Sequence, residues 1–236
     1  MKTLGLIGGT SWASTQDYYK LINEGINRRL GKKHSAKILL HSVDFEEEYQ
    51  IVTNRGWDAF LDRAEYYARN LHRIGADGIM LCANTLHIIA EKLQKRLELP
   101  IIDITEATAK NIRAAGIQKV GLLGTKFTMQ TDFYPDMLSR DDIECLVPAE
   151  NEIHELHEII FSELIAGVFK PETRERILEM IRQLEHQGVR GIILGCTELP
   201  MIIKKEHSDL TLFDTLKIHA QAAVDFALSE NDHSYL

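Results

Sequence analysis

The chain repeats one pattern of strands and turns in its two halves, and this duplication restricts the fold more than any other feature. The matched segments are "TLGLIGGTSWAST" (3–15) with "KVGLLGTKFTMQT" (119–131), "GADGIMLCANT" (75–85) with "GVRGIILGCTE" (188–198), and "LPIIDIT" (99–105) with "LTLFDTL" (210–216). All three pairs occur in the same order, and the spacing between partners shortens only slowly along the chain. We infer two halves of one common fold.

Each half alternates continuous Ile/Leu/Val strands with helices. The first helix is predicted at 14–30 with Ser14 as its N-cap. Long amphipathic helices are predicted at 56–75 and 172–188. This alternation is typical of parallel sheets covered by helices on both faces. The sequence therefore predicts an α/β protein made of two pseudo-symmetric, doubly wound parallel-sheet domains.

The order of the repeats also predicts where the domains begin and end. The first domain is expected at 1–98 plus 209–236, and the second at 99–208. The first domain is then discontinuous, because the helix after Asp214 returns to it. In open parallel sheets, ligands bind beyond the carboxyl ends of the strands. We therefore expect the active site in a cleft between the two domains, lined by the polar turns "GGTS" (8–11), "ANT" (83–85), "GTKFT" (124–128) and "CTE" (196–198).

Composition excludes several classes of partner. The formal charge of −8 over 236 residues argues against nucleic acid, which requires a basic surface. No apolar run approaches the roughly 20 residues of a membrane span. The N-terminal segment is predicted to form a strand and a turn rather than a signal peptide. Three cysteines without metal-site spacing predict reduced thiols in the cytoplasm and no metal.

Two polar turns on opposite walls of a cleft suit the transfer of a proton at a carbon atom. One wall removes a proton from a C–H next to a carboxylate, and the other delivers a proton to the opposite face. A thiol suits this task, and helix N-termini at the turns are expected to stabilise a thiolate and hold a carboxylate. This chemistry needs no cofactor. Candidate hydroxyl donors to a substrate carboxylate are Thr10, Ser11, Thr85, Thr125 and Thr197.

Five motifs resemble, in order and spacing, the aspartate/glutamate racemase family. They are "GLIGGTSWAST", "CANTLH", "LLGTKFTM", "GCTELP" and "FDTLKIHA". The resemblance spans roughly residues 3–228. It implies two pseudo-symmetric α/β domains and cofactor-independent racemisation of an acidic amino acid. It also implies a small dicarboxylate or acidic amino acid as substrate, and a homodimer.

The resemblance also implies roles for individual residues. Cys196 matches the second catalytic cysteine of the family. Substrate-binding or assisting positions are expected at Thr10 in the GGTS turn, Ala83, Asn84, Thr85, Thr125, Thr197 and Glu198. For Glu198, two interpretations remain open: it orients the thiol or grips an ammonium group, or it is a helix first-turn acid that interacts with the helix dipole.

The chain departs from the family pattern at the first catalytic position. There the family has Cys or Thr immediately before "NT", whereas this chain has Ala83, with Cys82 one place earlier. A shift of one residue turns a strand side chain to the other face, where Cys82 would be a small core residue. Three arrangements remain open: Cys82 acts from an irregular turn, another group such as Thr85 or a water acts, or Cys196 acts alone.

These arrangements lead to three hypotheses for function. The first is thiol-mediated racemisation of aspartate or glutamate. The second is decarboxylation or isomerisation of a malonate- or maleate-like diacid by a single cysteine. The third is non-catalytic binding of an acidic amino acid. The role of His154 and His157, three residues apart on a predicted helix, is also open. They lie either on a solvated helix face or beside the cleft, where they would contact the substrate side chain.

Overall fold

Two separate four-stranded parallel sheets form the framework of the residues described by the computed structural model, 1–230. The first sheet has the strand order β2-β1-β3-β4 and the second has the order β6-β5-β7-β8. The strands are β1 Thr3–Gly8, β2 Lys37–Ser42, β3 Gly78–Leu81, β4 Ile101–Ile102, β5 Lys119–Leu123, β6 Glu144–Leu146, β7 Gly191–Leu194 and β8 Thr211–Asp214. The identical order in the two sheets confirms the predicted pair of doubly wound α/β halves.

Helices connect successive strands. They are α1 Trp12–Leu30, α2 Phe45–Arg55, α3 Trp57–Arg73, α4 Ala90–Gln94, α5 Ile104–Ala114, α6 Lys126–Met129, α7 Phe133–Ser139, α8 Glu150–Ile159, α9 Pro171–His186, α10 Leu199–Ile202 and α11 Thr215–Leu228. Short 3₁₀ helices occupy Thr85–Ile89 and Lys205–His207, and a π-helical turn occupies Ile160–Leu164. The long helices predicted at 56–75 and 172–188 are formed as α3 and α9.

The start of α1 differs from the prediction. Ser11, not Ser14, is the N-cap, because its extended backbone and its side-chain oxygen, which accepts a hydrogen bond from the Ser14 amide, satisfy the first turn. The helix therefore begins at Trp12, directly after the GGTS turn. This places the N-terminus of a 19-residue helix at the carboxyl end of β1.

The chain divides into two compact units whose limits follow strand pairing. The first unit is Met1–Asp103 together with the chain from His219, and the second is Ile104–Ile218. β4 pairs with β3 in the first sheet, and β8 pairs with β7 in the second. The first boundary falls five residues, and the second ten residues, beyond the predicted ones at 98/99 and 208/209. The last six residues of the predicted first domain, 231–236, lie outside the described residues.

Each unit has its own apolar core. In the first unit, α3 packs on one face of the sheet through residues at helical spacing: Phe60, Leu61, Ala64, Ala68 and Leu71. The second part of α11 also belongs to this unit. Its Ala227 carbonyl accepts a hydrogen bond from the Lys2 amide at 2.8 Å, and Val224 lies so close to Gly25 that a Cβ at Gly25 would approach it within 2.7 Å.

Candidate active-site turns

The register of the two sheets aligns the two cysteine-bearing strands residue by residue. In the first sheet Leu4 lies opposite Gly78, and in the second Val120 lies opposite Gly191. The pairing continues one residue past each strand, since the amide of Cys82 donates to Ile7 O at 2.9 Å and the amide of Gly195 donates to Leu123 O at 2.7 Å. Cys82 is thus the counterpart of Gly195. The counterpart of Cys196 is Ala83, as the sequence register predicts.

Cys82 lies inside the first unit. Its exposed fraction is 1%, and it continues the strand pairing. Ile79 and Leu81 belong to the core on the α3 side, so alternation places Cys82 on the opposite face of the sheet. Burial raises the pKa of its thiol far above the usual range. In this structure Cys82 is a buried core residue, and its role as an acid/base stays a prediction.

The turn after Cys82 is fixed by a buried histidine. Ala83 is half-buried, and its carbonyl lies 3.0 Å from Nδ1 of His87, which is 3% exposed. The amide of His87 also donates to Asn84 O at 2.9 Å. Asn84 is 4% exposed, and Thr85 is half-buried at the start of the 3₁₀ helix. The backbone of 83–85 is therefore held in one conformation.

The GGTS turn lies at the end of the neighbouring strand β1. Gly9 has φ +97°, and a Cβ there would lie 2.2 Å from the Val43 carbonyl oxygen, so only glycine fits. The Gly9 amide donates to Thr15 Oγ1 at 2.9 Å. Thr10 is half-exposed, and among residues 1–230 its hydroxyl has no hydrogen-bond partner. The turn therefore presents an available hydroxyl beside the start of α1.

In the second unit, the turn after β7 brings a thiol and a carboxylate together. Cys196 Sγ donates to Glu198 Oε2 at 3.0 Å, and Thr197 Oγ1 donates to the same oxygen at 2.8 Å. Cys196 is 9% exposed and Glu198 is 7% exposed, whereas Thr197 is half-buried. The sulfur of Cys196 packs among the core residues of this unit, but unlike Cys82 it also faces a charged acceptor.

The surroundings of Cys196 favour its protonated form. Burial, together with the charge of Glu198 and the hydrogen bond to it, raises the pKa of the Cys196 thiol well above its usual value. The following helix, α10, has only four residues, so it supplies no long dipole that would favour the thiolate. Hydrogen bonds from the backbone of Thr197 and Glu198 lower the pKa of this thiol, as expected for the start of a helix, but they do not offset burial and the Glu198 charge. The resting form is the thiol, hydrogen-bonded to a carboxylate.

Thr125 lies at the end of β5, beside the Cys196 turn. It is 8% exposed and caps α6, since its Oγ1 accepts from the Thr128 amide at 3.3 Å. A Cβ on Gly124 would lie 3.0 Å from the Gly195 carbonyl oxygen, so the two turns are in contact. The predicted site residues of the second unit therefore share one edge of its sheet: Thr125, Cys196, Thr197 and Glu198.

The described residues contain neither a cluster of metal ligands nor a membrane-spanning helix. Within residues 1–230 no group of three or more His, Cys, Asp or Glu side chains converges as a metal site would require. None of the helices in the same range is both long and apolar enough to cross a bilayer.

The hydrogen bond from His87 to the Ala83 carbonyl was not predicted from the sequence, because such a contact depends on how the chain folds back on itself.

These features define a class: α/β proteins made of two like halves, with a thiol–carboxylate pair at a strand end of the second half. The model of the Asp/Glu/Hydantoin racemase family matches residues 7–223. The chain therefore belongs to that family.

Solved structures and a curated relative agree with this assignment. The chain is 41% identical to a candidate Asp/Glu racemase from Yersinia pestis, with a TM-score of 0.92 over 97% of this chain and all of that one. It is 37% identical to an aspartate racemase homologue from Pyrococcus horikoshii, with a TM-score of 0.84 over the same shares. The broad specificity amino-acid racemase RacX of Bacillus subtilis is 27% identical over 69% of this chain and 70% of its own length.

Proposed function

We propose that the protein exchanges the α-proton of a small acidic amino acid, aspartate or glutamate, without a cofactor, and so acts as an amino-acid racemase. The observation that carries this proposal is the Cys196–Glu198 pair, in which the thiol sulfur lies 3.0 Å from a carboxylate oxygen at a strand end. Family membership supports the reaction class, and the pair supplies a group able to move a proton.

Cys196 and Glu198 act in sequence in this proposal. The thiol proton passes from Sγ to Glu198 Oε2, and the resulting thiolate removes the α-proton of the substrate. Two electrons remain on the α-carbon as a carbanion next to the carboxylate. Return of a proton from Cys196 to the same face regenerates the substrate, whereas a proton delivered to the opposite face gives the other enantiomer. Thr197 shares Oε2 with the thiol and fixes the carboxylate in place.

Substrate binding is assigned to the polar groups of the four turns. Thr10, Asn84, Thr85 and Thr125 are the proposed donors to the substrate carboxylate or partners of its ammonium group. Ala83 leaves the first catalytic position without an ionisable side chain. We expect Cys196 to be the acid/base on its side, while the opposite side relies on Thr85 or a water molecule. That the four turns surround one substrate stays a prediction.

The test is incubation of the protein in D₂O with each enantiomer of aspartate and glutamate. Solvent deuterium should appear at the α-carbon, and Cys196→Ser should remove the exchange. Deuterium with inversion establishes racemisation, and deuterium without inversion establishes a one-sided site. No incorporation with any of the four compounds would exclude the proposal.

The absence of an ionisable group at Ala83 favours a second candidate. A single acid/base suits decarboxylation of a malonate-like diacid, since loss of carbon dioxide leaves a carbanion that takes up one proton on one face. Isomerisation of a maleate-like diacid needs a cysteine that adds to the double bond and leaves after rotation about the C–C bond. Release of carbon dioxide from a malonate, or isomerisation of maleate, would distinguish it. Ligand-induced stabilisation without any turnover would instead indicate a non-catalytic binder. Ala83→Thr should raise inversion relative to exchange if the first position limits racemisation.

A further inference from the structure

His157 in the second unit is buried without a hydrogen-bond partner. It lies three residues after His154 on α8, but the two differ in environment, since His154 is exposed and His157 is only 7% exposed. Within residues 1–230, Nδ1 of His157 is the one fully enclosed side-chain nitrogen or oxygen that lacks a partner. A buried polar atom without a partner costs about 1–3 kcal/mol, so such an atom calls for a compensating role.

The surroundings determine the state of this imidazole. Burial lowers the pKa of His157, and the positive charge of Lys126 lowers it further, so the ring is neutral at pH 7. An enclosed Nδ1 is less costly as a lone pair than as an N–H without an acceptor. The proton therefore lies on Nε2, the ring nitrogen that is not enclosed. His157 thus presents an N–H donor for which the described residues supply no acceptor.

Lys126 adds a positive charge to the same place. It is half-buried at the start of α6, and its Nζ lies 5.4 Å from the centroid of the Phe127 ring. No carboxylate in residues 1–230 pairs with it within 4.0 Å. The Phe127 ring meets the His157 ring edge-on, with 5.8 Å between the ring centroids. The centroid of the Phe161 ring, on the next helical turn, lies 4.5 Å from that of His157. A cation and a neutral donor therefore lie beside the same Phe127 ring. The charge of Glu158 also reaches His157, but within residues 1–230 Glu158 makes no ion pair with Lys126 within 4.0 Å.

This group lies at the edge of the sheet that carries Cys196. Lys126 follows Thr125 directly, and the preceding Gly124 touches the carbonyl of Gly195, one residue before the thiol. The π-helical turn Ile160–Leu164 starts three residues after His157, and such turns often re-aim side chains at functional sites. A ligand bound at Cys196 could therefore extend towards Lys126 and His157.

We propose that Lys126 and His157 form a carboxylate subsite that holds the side-chain carboxylate of an acidic substrate while its α-carbon lies at Cys196. This inference rests on the proposed function for the position of the α-carbon. A carboxylate fits because it accepts a hydrogen bond from Nε2–H and neutralises the ammonium group. A neutral side chain offers neither contact.

The test measures binding rather than turnover, in the Cys196→Ser background, by calorimetric titration with aspartate, asparagine, glutamate and alanine. Aspartate should bind more tightly than asparagine, which differs only by an amide in place of the carboxylate. Lys126→Met and His157→Leu should each weaken aspartate binding about ten- to a hundredfold, as expected for a hydrogen bond to a charged group. Asparagine and alanine should change little.

Two further variants make the test specific. His157→Gln keeps an N–H near the position of Nε2 and should restore most of the preference for aspartate. His154→Leu, on the same helix but exposed, is the matched control and should leave all affinities unchanged. Circular dichroism and thermal melts verify that each variant is folded.

The proposal is overturned if wild-type selectivity for aspartate over asparagine is absent. It is also overturned if Lys126→Met and His157→Leu weaken aspartate and alanine equally or affect neither. Because Cys196→Ser cannot exchange protons, these outcomes do not depend on catalysis. A different result is that aspartate binds selectively in this test while the wild-type protein exchanges no deuterium in D₂O. That result would refute the racemase proposal and leave the subsite standing.

Discussion

The surroundings of the two buried thiols distinguish their chemistry at the scale of single residues. Burial is what raises the pKa of the Cys82 thiol, and within residues 1–230 no charged group contributes to this shift. For Cys196, the carboxylate of Glu198 adds to burial and also accepts the thiol proton. Only Cys196 therefore has a partner to which its proton can move, and the two cysteines should respond differently to substitution.

Cys82→Ala should leave α-proton exchange in D₂O unchanged. The sulfur is enclosed on a core face of the first sheet, so its loss creates a small cavity that costs about 1 kcal/mol of unfolding free energy. The measurement is the exchange rate beside a urea unfolding curve. An exchange rate that falls to the level of Cys196→Ser would show that Cys82 takes part in the chemistry.

Glu198→Gln should lower the pKa of the Cys196 thiol. The substitution removes the negative charge that favours the protonated thiol, while the amide keeps the shape of the side chain. The pH profile of Cys196 alkylation by iodoacetamide, followed by peptide mass spectrometry, should move to lower pH. Glu206→Gln, at an exposed carboxylate of the same unit, should leave the profile in place. An unchanged profile for Glu198→Gln would show that its carboxylate does not control the thiol.

The sequence indicated Cys196 as the candidate acid/base of the second unit, but not its electrostatics. Aligning the repeats was enough to place Cys82 opposite Gly195 and Ala83 opposite Cys196, because parallel sheets of equal order share one register. The burial of His157 and its approach to Lys126 were not predictable. Both depend on the packing of α6 against α8, and His154 gives the same pattern in the sequence while remaining exposed.

At the scale of secondary-structure elements, the turn between β1 and α1 requires a residue without a side chain, because a neighbouring backbone segment lies against it. Gly9 combines a positive φ with a close approach to Val43, whereas Gly31, at the end of α1, has φ +69° and open space around it. A side chain at Gly31 meets only the intrinsic strain of the left-handed region. A side chain at Gly9 must also displace a neighbouring backbone, and the GGTS turn would have to open.

Gly9→Ala should therefore destabilise the first unit more than Gly31→Ala does. We expect about 1–3 kcal/mol for Gly31→Ala from the strain of its backbone conformation alone, φ 69° and ψ −164°. We expect a larger loss for Gly9→Ala from the added clash with the Val43 backbone. Urea unfolding can be followed by tryptophan fluorescence, because both tryptophans, Trp12 and Trp57, belong to this unit. Equal losses for the two variants would show that the close approach at Gly9 is relieved at no cost.

At the scale of the whole molecule, the chain closes its first unit with its last described helix. His219, where the chain re-enters this unit, is fully buried. Its Nδ1 lies 3.0 Å from the Tyr18 hydroxyl on α1, and its Nε2 lies 2.6 Å from the Ile102 carbonyl on β4. One imidazole thus joins three elements that are distant in sequence. Its protonation would break this junction, because Nδ1 would lose its role as acceptor.

The first unit should therefore lose stability as pH falls below about 6.5. Burial, with a smaller contribution from His87, lowers the pKa of His219 to about 3, and Asp103 only partly opposes this. Between these pH values the unfolded chain binds a proton that the folded chain does not. The unfolding free energy then falls by about 1.4 kcal/mol per pH unit for this residue.

His219→Gln keeps a donor for the Ile102 carbonyl and should reduce the slope of unfolding free energy against pH by the equivalent of about one bound proton. The slope is measured by tryptophan fluorescence in urea between pH 6 and 4.5. His34→Gln, at an exposed histidine of the same unit, should keep the wild-type slope. If the slope of His219→Gln equals that of the wild type, His219 is already protonated in the folded state and the junction does not depend on its neutral form.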